Sequence, residues 1–408
     1  MRVLLSEASS LTARETVTVL GPSGHHLEAM TSQRMPVARF SRYVSRLHHC
    51  PAAGGDPAGY LDAVVKVIRE RRIDVLLPTH EQAWLFAVAR DRMPPVGLAV
   101  AEPAAFDQIE SKVAFAELAT RLDLPQPTWA RVSTAADLAD WEYPYYLKRP
   151  FSTAGRGVCR VDSDTDVTAT LRLVEAATTP ALAQQMAVGT YGQVAALFSH
   201  GRLVAVHTSK QVGLGAGGSA AARESTSDLQ ARDDIERLGS ELGWHGGLTL
   251  DYLADGDDHA YIECNPRTVE PGNAAAAGVD LPSLQLALSI DGPLPKAVVV
   301  GRPDVRTHGA MALALGAAEK TGSRRAVLHT TARALTDRKS REVMTPLRID
   351  PPSVVPLAAV LAQLLLRPDS AATLATAAVD AYSVGPTAIN AAQTASARAS
   401  AHPAAHAL

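Results

Sequence analysis

The stretch "GLTLDYLADGDDHAYIECNPR", Gly247 to Arg267, constrains this chain more than any other part of it. Two runs of alternating apolar and polar residues flank the turn "ADGDD", the pattern of a β-hairpin. Side chains two apart on a strand share a face, so Glu263 and Asn265 point the same way. Antiparallel pairing brings Asp251 to that face at the same end. Two carboxylates and an amide oxygen there suit a hard cation, one or two Mg²⁺, that shares phosphate oxygens with few protein ligands. Arg267, just beyond, offers a planar fork for a terminal phosphate. The same residues would also suit a strand end turning into a polar loop, so the rest of the chain decides.

At 408 residues the chain is too long for one ordinary core, and two or three domains are expected. Over residues 1–107, "RVLLSEASSLTARETVTVL" and "YLDAVVKVIRERRIDVLLP" each alternate strand and helix, which implies a parallel, doubly wound sheet. The first strand-to-helix turn is "SEASSLTAR", without the glycine cradle of a dinucleotide site, and "GPSG" comes one helix too late. A net charge of −3 and no basic patch argue against nucleic acid or a membrane surface as partner. The three cysteines, Cys50, Cys159 and Cys264, have no paired spacing, which fits a reducing cytoplasm; Cys264 reads as a small core residue. "MRVLLSEASS" reads as a buried strand rather than an export signal.

Farther on, "FDQIESKVAFAELATRLDLPQP" predicts a helix over 109–122. "YYLKRPFSTAGRGVCRV" predicts a strand ending at Lys148, a loop of small residues including Ser152, Thr153 and Gly155, and another strand. Such a loop lets backbone N–H groups approach phosphate, though a plain hairpin turn has the same composition. "ALAQQMAVG" is a strand running into a turn, either an edge strand or an adenine site with Gln184 reading the amino group. Past residue 296 the chain is alanine-rich and predicted helical, and its last twenty or so residues, without hydrophobic periodicity, are expected to be a disordered tail.

In order and spacing, Lys112, Lys148 with its loop, "QQMAVG", Asp251 and "ECNPR" resemble the ATP-grasp superfamily. The likeness is greatest to its carbamoyl-phosphate-synthetase-like carboxylate–amine ligases, over about residues 1–290. "SKVAFAELATRLDLPQP", "YYLKRPFSTAGRGV" and above all "YIECNPR" carry it. The resemblance implies an α/β fold: a pre-ATP-grasp domain at 1–107, an ATP-grasp domain at 108–295 and a mainly helical extension at 296–408. Within the second, 108–182 would be a small lid and 183–295 the large subdomain. It implies that Lys112 and Lys148 contact ATP phosphates, that Ser152, Thr153 and Gly155 cover them, and that Gln184, Gln185 and Ala187 form the adenine hinge. Asp251, Glu263 and Asn265 would hold Mg²⁺, two ions with Mn²⁺ as a substitute, and Lys210 and Arg267 would serve the transferred phosphoryl group. The hinge begins with Gln184 where the family often has Glu, and Tyr191 stands where a ribose-binding Glu is common, so Gln193 is assigned to the ribose.

The reaction implied is ATP-dependent joining of a small carboxylate to an amine through an acyl-phosphate. The alternatives are a biotin-carboxylase-like enzyme that forms carboxyphosphate and a nucleotide-binding module without turnover. "KQVGLGAGGSAAARES" has the composition of a mobile cover, with Arg223 near a substrate carboxylate or phosphate. Glu270 would meet a substrate ammonium group or cap a helix, and His80 and Glu81 would line the substrate cleft at the carboxyl end of their strand. A homodimer stays open.

Overall fold

The computed structural model describes residues 1–153, 155–163, 179–256 and 258–401, with side chains of the last helix placed to residue 395. Ala154 of the small-residue loop, Asp257 of the hairpin turn, 164–178 of the expected lid and 402–408 of the expected tail lie outside the described residues.

Four strands, β1 (Arg2–Leu5), β2 (His26–Thr31), β3 (Val44–His49) and β4 (Val75–Leu77), form a parallel sheet in the order β3-β2-β1-β4. Val3, Leu4 and Leu5 of β1 are fully buried, as a strand covered on both faces requires. The helix Leu11–Leu20 starts where Ser10 accepts a hydrogen bond from the Ala13 amide at 3.0 Å. The helix Pro57–Arg71 starts in the same way on Asp56. Ser6, Glu7 and Ser10 after β1, and Thr79, His80 and Glu81 after β4, are buried where the strands' carboxyl ends meet the rest of the molecule.

The next four strands, β5 (Trp129–Val132), β6 (Tyr145–Lys148), β7 (Val158–Val161) and β8 (Ala181–Gln185), pair antiparallel in the order β5-β8-β6-β7. The large sheet holds β9 (Thr190–Ser199), β10 (Arg202–Leu214), β11 (Ala220–Thr226), β12 (Gly246–Asp255) and β13 (Asp258–Asn265) in the order β13-β12-β9-β10-β11. The predicted hairpin is β12–β13. The amphipathic helix Leu229–Glu241 packs Ile235 and Leu238 into one face of this sheet. Among the described residues, no helix is long and apolar enough to cross a membrane.

Two features differ from expectation. The large sheet does not stop near residue 295: β14 (Val299–Val300) pairs with β10, and β15 (Arg306–His308) and β16 (Ser340–Glu342) extend its β11 edge. And the stretch from Asn390 on, expected to be a disordered tail, continues a helix, Pro386–Ala401, as far as that helix runs. Val384, Ala388, Ile389 and Ala392 are buried in the core that includes Tyr60, Leu61 and Phe86. Small alanine side chains let this helix lie close to its neighbours, so a packed face carries little hydropathy contrast.

Truncation of Ile389 to alanine is therefore expected to destabilise the protein by roughly 2–5 kcal/mol. Urea unfolding measures this, and an unchanged midpoint would contradict the docking of the C-terminal helix.

Candidate active site

In the β12–β13 hairpin Asp251 pairs directly with Glu263, and Thr249 with Asn265. Strand parity then puts Asp251, Glu263 and Asn265 on one face. Asn265 Nδ2 donates to Asp251 Oδ2 at 3.0 Å, and Gln193 Nε2, opposite Asp251 on β9, donates to Oδ1 at 2.9 Å. Burial raises the Asp251 carboxyl to about 6; the Glu263 charge pushes the same way, against hydrogen bonds from Gln193 and Tyr191 and the charge of Arg223. Glu263 differs. Its side chain is 38% exposed, and although burial pushes its carboxyl up, Lys112, Lys148 and Arg267 hold it below the usual range.

Lys112 opens the helix Lys112–Arg121, where Ser111 is the cap. Its Nζ lies 2.6 Å from Glu263 Oε1 and donates to the Ser152 carbonyl at 3.0 Å. Lys148 ends β6, is buried, and donates to Gln184 Oε1 at 2.5 Å. Burial lowers Lys148 to about 8, with Lys112 acting in the same sense and Glu263 against it. Gln184 and Gln185 end β8; the Gln185 amide donates to the Thr128 carbonyl at 2.8 Å, and its side chain to the Glu142 carbonyl at 3.2 Å. Ala187 lies in the short segment that links the small sheet to the large one.

In the loop after β6 the Thr153 hydroxyl donates to Glu81, the Ser152 hydroxyl is buried without a partner among the described residues, and Gly155 takes φ +72°. Arg156 ties this loop to the C-terminal region through Asp380 at 2.5 Å and the Thr376 carbonyl at 2.7 Å. A cleft of about 350 Å³ is lined by Lys112, Ser152, Glu263, Asn265 and Arg267. Arg267 approaches His80 Nε2 at 3.4 Å, and its Nε is buried without a partner among the described residues. Burial and the Arg267 charge push the His80 imidazole well below its usual range, so it is neutral.

Two residues were missed in the sequence, one on the cleft and one against His80. Glu110 lines the cleft, and burial with the Glu81 charge pushes its carboxyl up to about 8. The signal available was its place just before the Ser111 cap and Lys112. Tyr382 lays its ring 4.0 Å from His80, and no motif surrounds it.

The structure does not bring Lys210 to this cluster. On β10, Lys210 pairs with Gly192 and Glu224, one residue out of phase with the Asp251–Gln193–Ser209 row, so it points from the opposite face. It is half exposed there and sits 3.0 Å from Glu224. Gln193 is on the cluster's face, but its amide is committed to Asp251. Arg223 is on that face too, buried, 3.1 Å from Glu270 and over the Tyr191 ring. The glycine-rich segment expected to be a cover forms the tip of the β10–β11 hairpin: Gly217 and Gly218 take positive φ to make the turn, and the Gly217 amide donates to Glu319 at 2.7 Å.

Comparison of the sequence with protein-family models and with curated proteins gives no match. Solved structures do match. The biotin carboxylase domain of the Hydrogenobacter thermophilus 2-oxoglutarate carboxylase, solved with MgADP, ADP and bicarbonate, superposes with TM-score 0.60 at 13% identity, over 75% of this chain and 73% of that one. The L-amino acid ligase from Bacillus licheniformis gives 0.54 at 18% identity, over 71% and 74%. The N5-carboxyaminoimidazole synthetase from Staphylococcus aureus, complexed with ADP, gives 0.59 at 11% identity, over 77% and 84%. The chain thus has the ATP-grasp fold, with an N-terminal doubly wound sheet and a C-terminal region rich in helices.

His207 supplies a pH test of this buried face. Burial, with the Arg223 charge, lowers its imidazole to about 3. Between that value and the ordinary 6.5 the unfolded chain binds a proton that the folded chain does not, so stability falls as pH falls through this window. From pH 7 to 5 the His207 contribution is a loss of about 2 kcal/mol. Urea unfolding of wild type and His207→Gln at both pH values should show the smaller loss in the variant; equal losses would mean that His207 is not held neutral.

Proposed function

We propose that this protein is an ATP- and Mg²⁺-dependent ligase that joins a small carboxylate to an amine through an acyl-phosphate, releasing ADP and phosphate. The observation that carries the reading is the convergence of Asp251, Glu263 and Asn265 with Lys112, Lys148 and Arg267 where the small sheet meets the large one.

The donor set fits Mg²⁺. Among the described residues there is no group of three His, Cys, Asp or Glu side chains placed to hold a metal by themselves. Two carboxylates and an amide oxygen instead suit an ion that takes its remaining ligands from water and phosphate. When bound, it would neutralise charge on the nucleotide's phosphates. Lys112 and Lys148 would hold phosphate oxygens, the Ser152–Gly155 segment would cover them, and Gln184, Gln185 and Ala187 would face the base. Arg267, whose Nε has no partner among the described residues, would steady the phosphoryl group in transfer.

In the first step a carboxylate oxygen bonds to the γ-phosphorus and the bond to ADP breaks. In the second the amine nitrogen bonds to the acyl carbon, phosphate leaves, and the nitrogen gives up a proton. Phosphoryl transfer of this kind is mainly positioning and charge neutralisation.

A donor aimed at charge that develops in the reaction is worth about 2.7–4 kcal/mol of barrier. Glu263→Ala and Arg267→Ala should each cut ADP release by roughly a hundredfold or more while the circular dichroism spectrum is kept. The assay is ADP release over amino acids and small carboxylates, with mass spectrometry of the product. Unchanged rates in both variants would refute the site. ADP release that needs bicarbonate instead of an amine would point to the carboxyphosphate-forming reading suggested by the likeness to biotin carboxylase.

A further inference from the structure

A second cavity lies between the N-terminal end of the helix Leu11–Leu20, the strands β11 and β15, and the helix Ala310–Thr321. Its polar wall has Glu15, 5% exposed, and Glu270, which is paired with Arg223 at 3.1 Å. Glu15 Oε2 accepts the Gly272 amide at 2.9 Å. Its apolar wall has Leu11, Ala312, Val343 and Met344.

Two observations say that this wall is built for a ligand. Arg223 is 3% exposed and lines the cavity, yet its Nη1 has no hydrogen-bond partner among the described residues. A buried guanidinium N–H without an acceptor is costly, and a ligand oxygen would remove that cost. Second, Arg223 is paired with Glu270, and among the described residues Glu15 has no ion pair of its own. Burial and the Glu270 charge push the Glu15 carboxyl up to about 8, the response of an acid that lacks a positive partner. A ligand ammonium group would supply one.

We propose that this cavity binds a free α-amino acid, with its ammonium group between Glu15 and Glu270, its carboxylate on Nη1 of Arg223, and a compact side chain against Leu11, Ala312, Val343 and Met344. Its place as the amine substrate rests on the ligase reading. Glu270 follows Arg267 by three residues, and Tyr191 hydrogen-bonds both Arg223 and Asp251, so the cavity adjoins the carboxylate cluster. Glu15 belongs to the N-terminal α/β region and Val343 to the segment past β16, so the site needs three parts of the chain.

The test is isothermal titration calorimetry of the full chain with the protein amino acids one at a time, and with isobutylamine and isobutyrate as single-group probes. At least one amino acid of small apolar side chain should bind, and bind more tightly than either probe. Glu15→Gln keeps an oxygen for the Gly272 amide and removes the charge; it should weaken binding about tenfold or more, with Mg-ATP binding unchanged. Ala312→Phe, which fills the cavity from its apolar side, should abolish binding, and it carries the test if Glu15→Gln does not fold. Failure of every amino acid to bind, or wild-type affinity in the variants, overturns the proposal. Amino-acid binding in a protein that releases no ADP keeps the cavity and removes the ligase reading; ADP release indifferent to Glu15→Gln does the reverse.

Discussion

Asp251 and Glu263 face each other directly across two paired strands, and like charges so placed repel. The neighbourhood is arranged around that repulsion. Lys112 Nζ lies 2.6 Å from Glu263, with Lys148 and Arg267 close enough to hold its carboxyl low. Among the described residues Asp251 has no such contact; amide donors from Gln193 and Asn265 relieve it only in part, and burial holds its carboxyl up at about 6. The pair is therefore asymmetric: one carboxylate is firmly ionised and salt-bridged, while the other is poised to gain from a cation. An oxygen-lined face with surplus negative charge on one side and lysines on the other is a place for a divalent ion carrying phosphate.

Each cation reaches this face from a different part of the fold. Lys112 comes from the helix before the small sheet, Lys148 from the end of β6, and Arg267 from the turn after β13. Their convergence depends on how the small sheet sits against the large one. That placement is held by the Lys112–Ser152 contact, by Lys148 reaching the Ile262 carbonyl at 3.4 Å, and by the C-terminal region. The last contributes Asp380 to Arg156, the Val384 amide to Glu81 at 2.7 Å, and the Tyr382 ring to His80. A segment that reads as alanine-rich filler thus braces both the phosphate-side loop and the carboxyl end of β4.

Much of the carboxylate face was legible in the sequence, because a hairpin's alternation and short turn determine which side chains share a face. Lys210 shows where that reasoning stops. Parity within β10 is readable, but which phase of β10 aligns with Asp251 depends on its register with β9, and nothing local in the sequence encodes that register. Glu15 and Glu110 were not legible for another reason. A lone glutamate in an amphipathic helix or just before a cap reads as a solvated charge, and only packing between distant segments buries it. The helix Pro386–Ala401 escaped notice because a face of alanines and one isoleucine shows almost no periodicity, although it fits closely against its neighbours.

The central claim is that the face bearing Asp251, Glu263 and Asn265 is where a metal-bound triphosphate sits. A crystal structure of the full chain with Mg²⁺ and a non-hydrolysable ATP analogue tests it most directly. The expected density shows Mg²⁺ bonded to oxygens of those three residues and to phosphate oxygens, with Lys112 released from Glu263 onto phosphate. A triphosphate bound in another cleft, or a metal that bypasses all three side chains, would contradict the account.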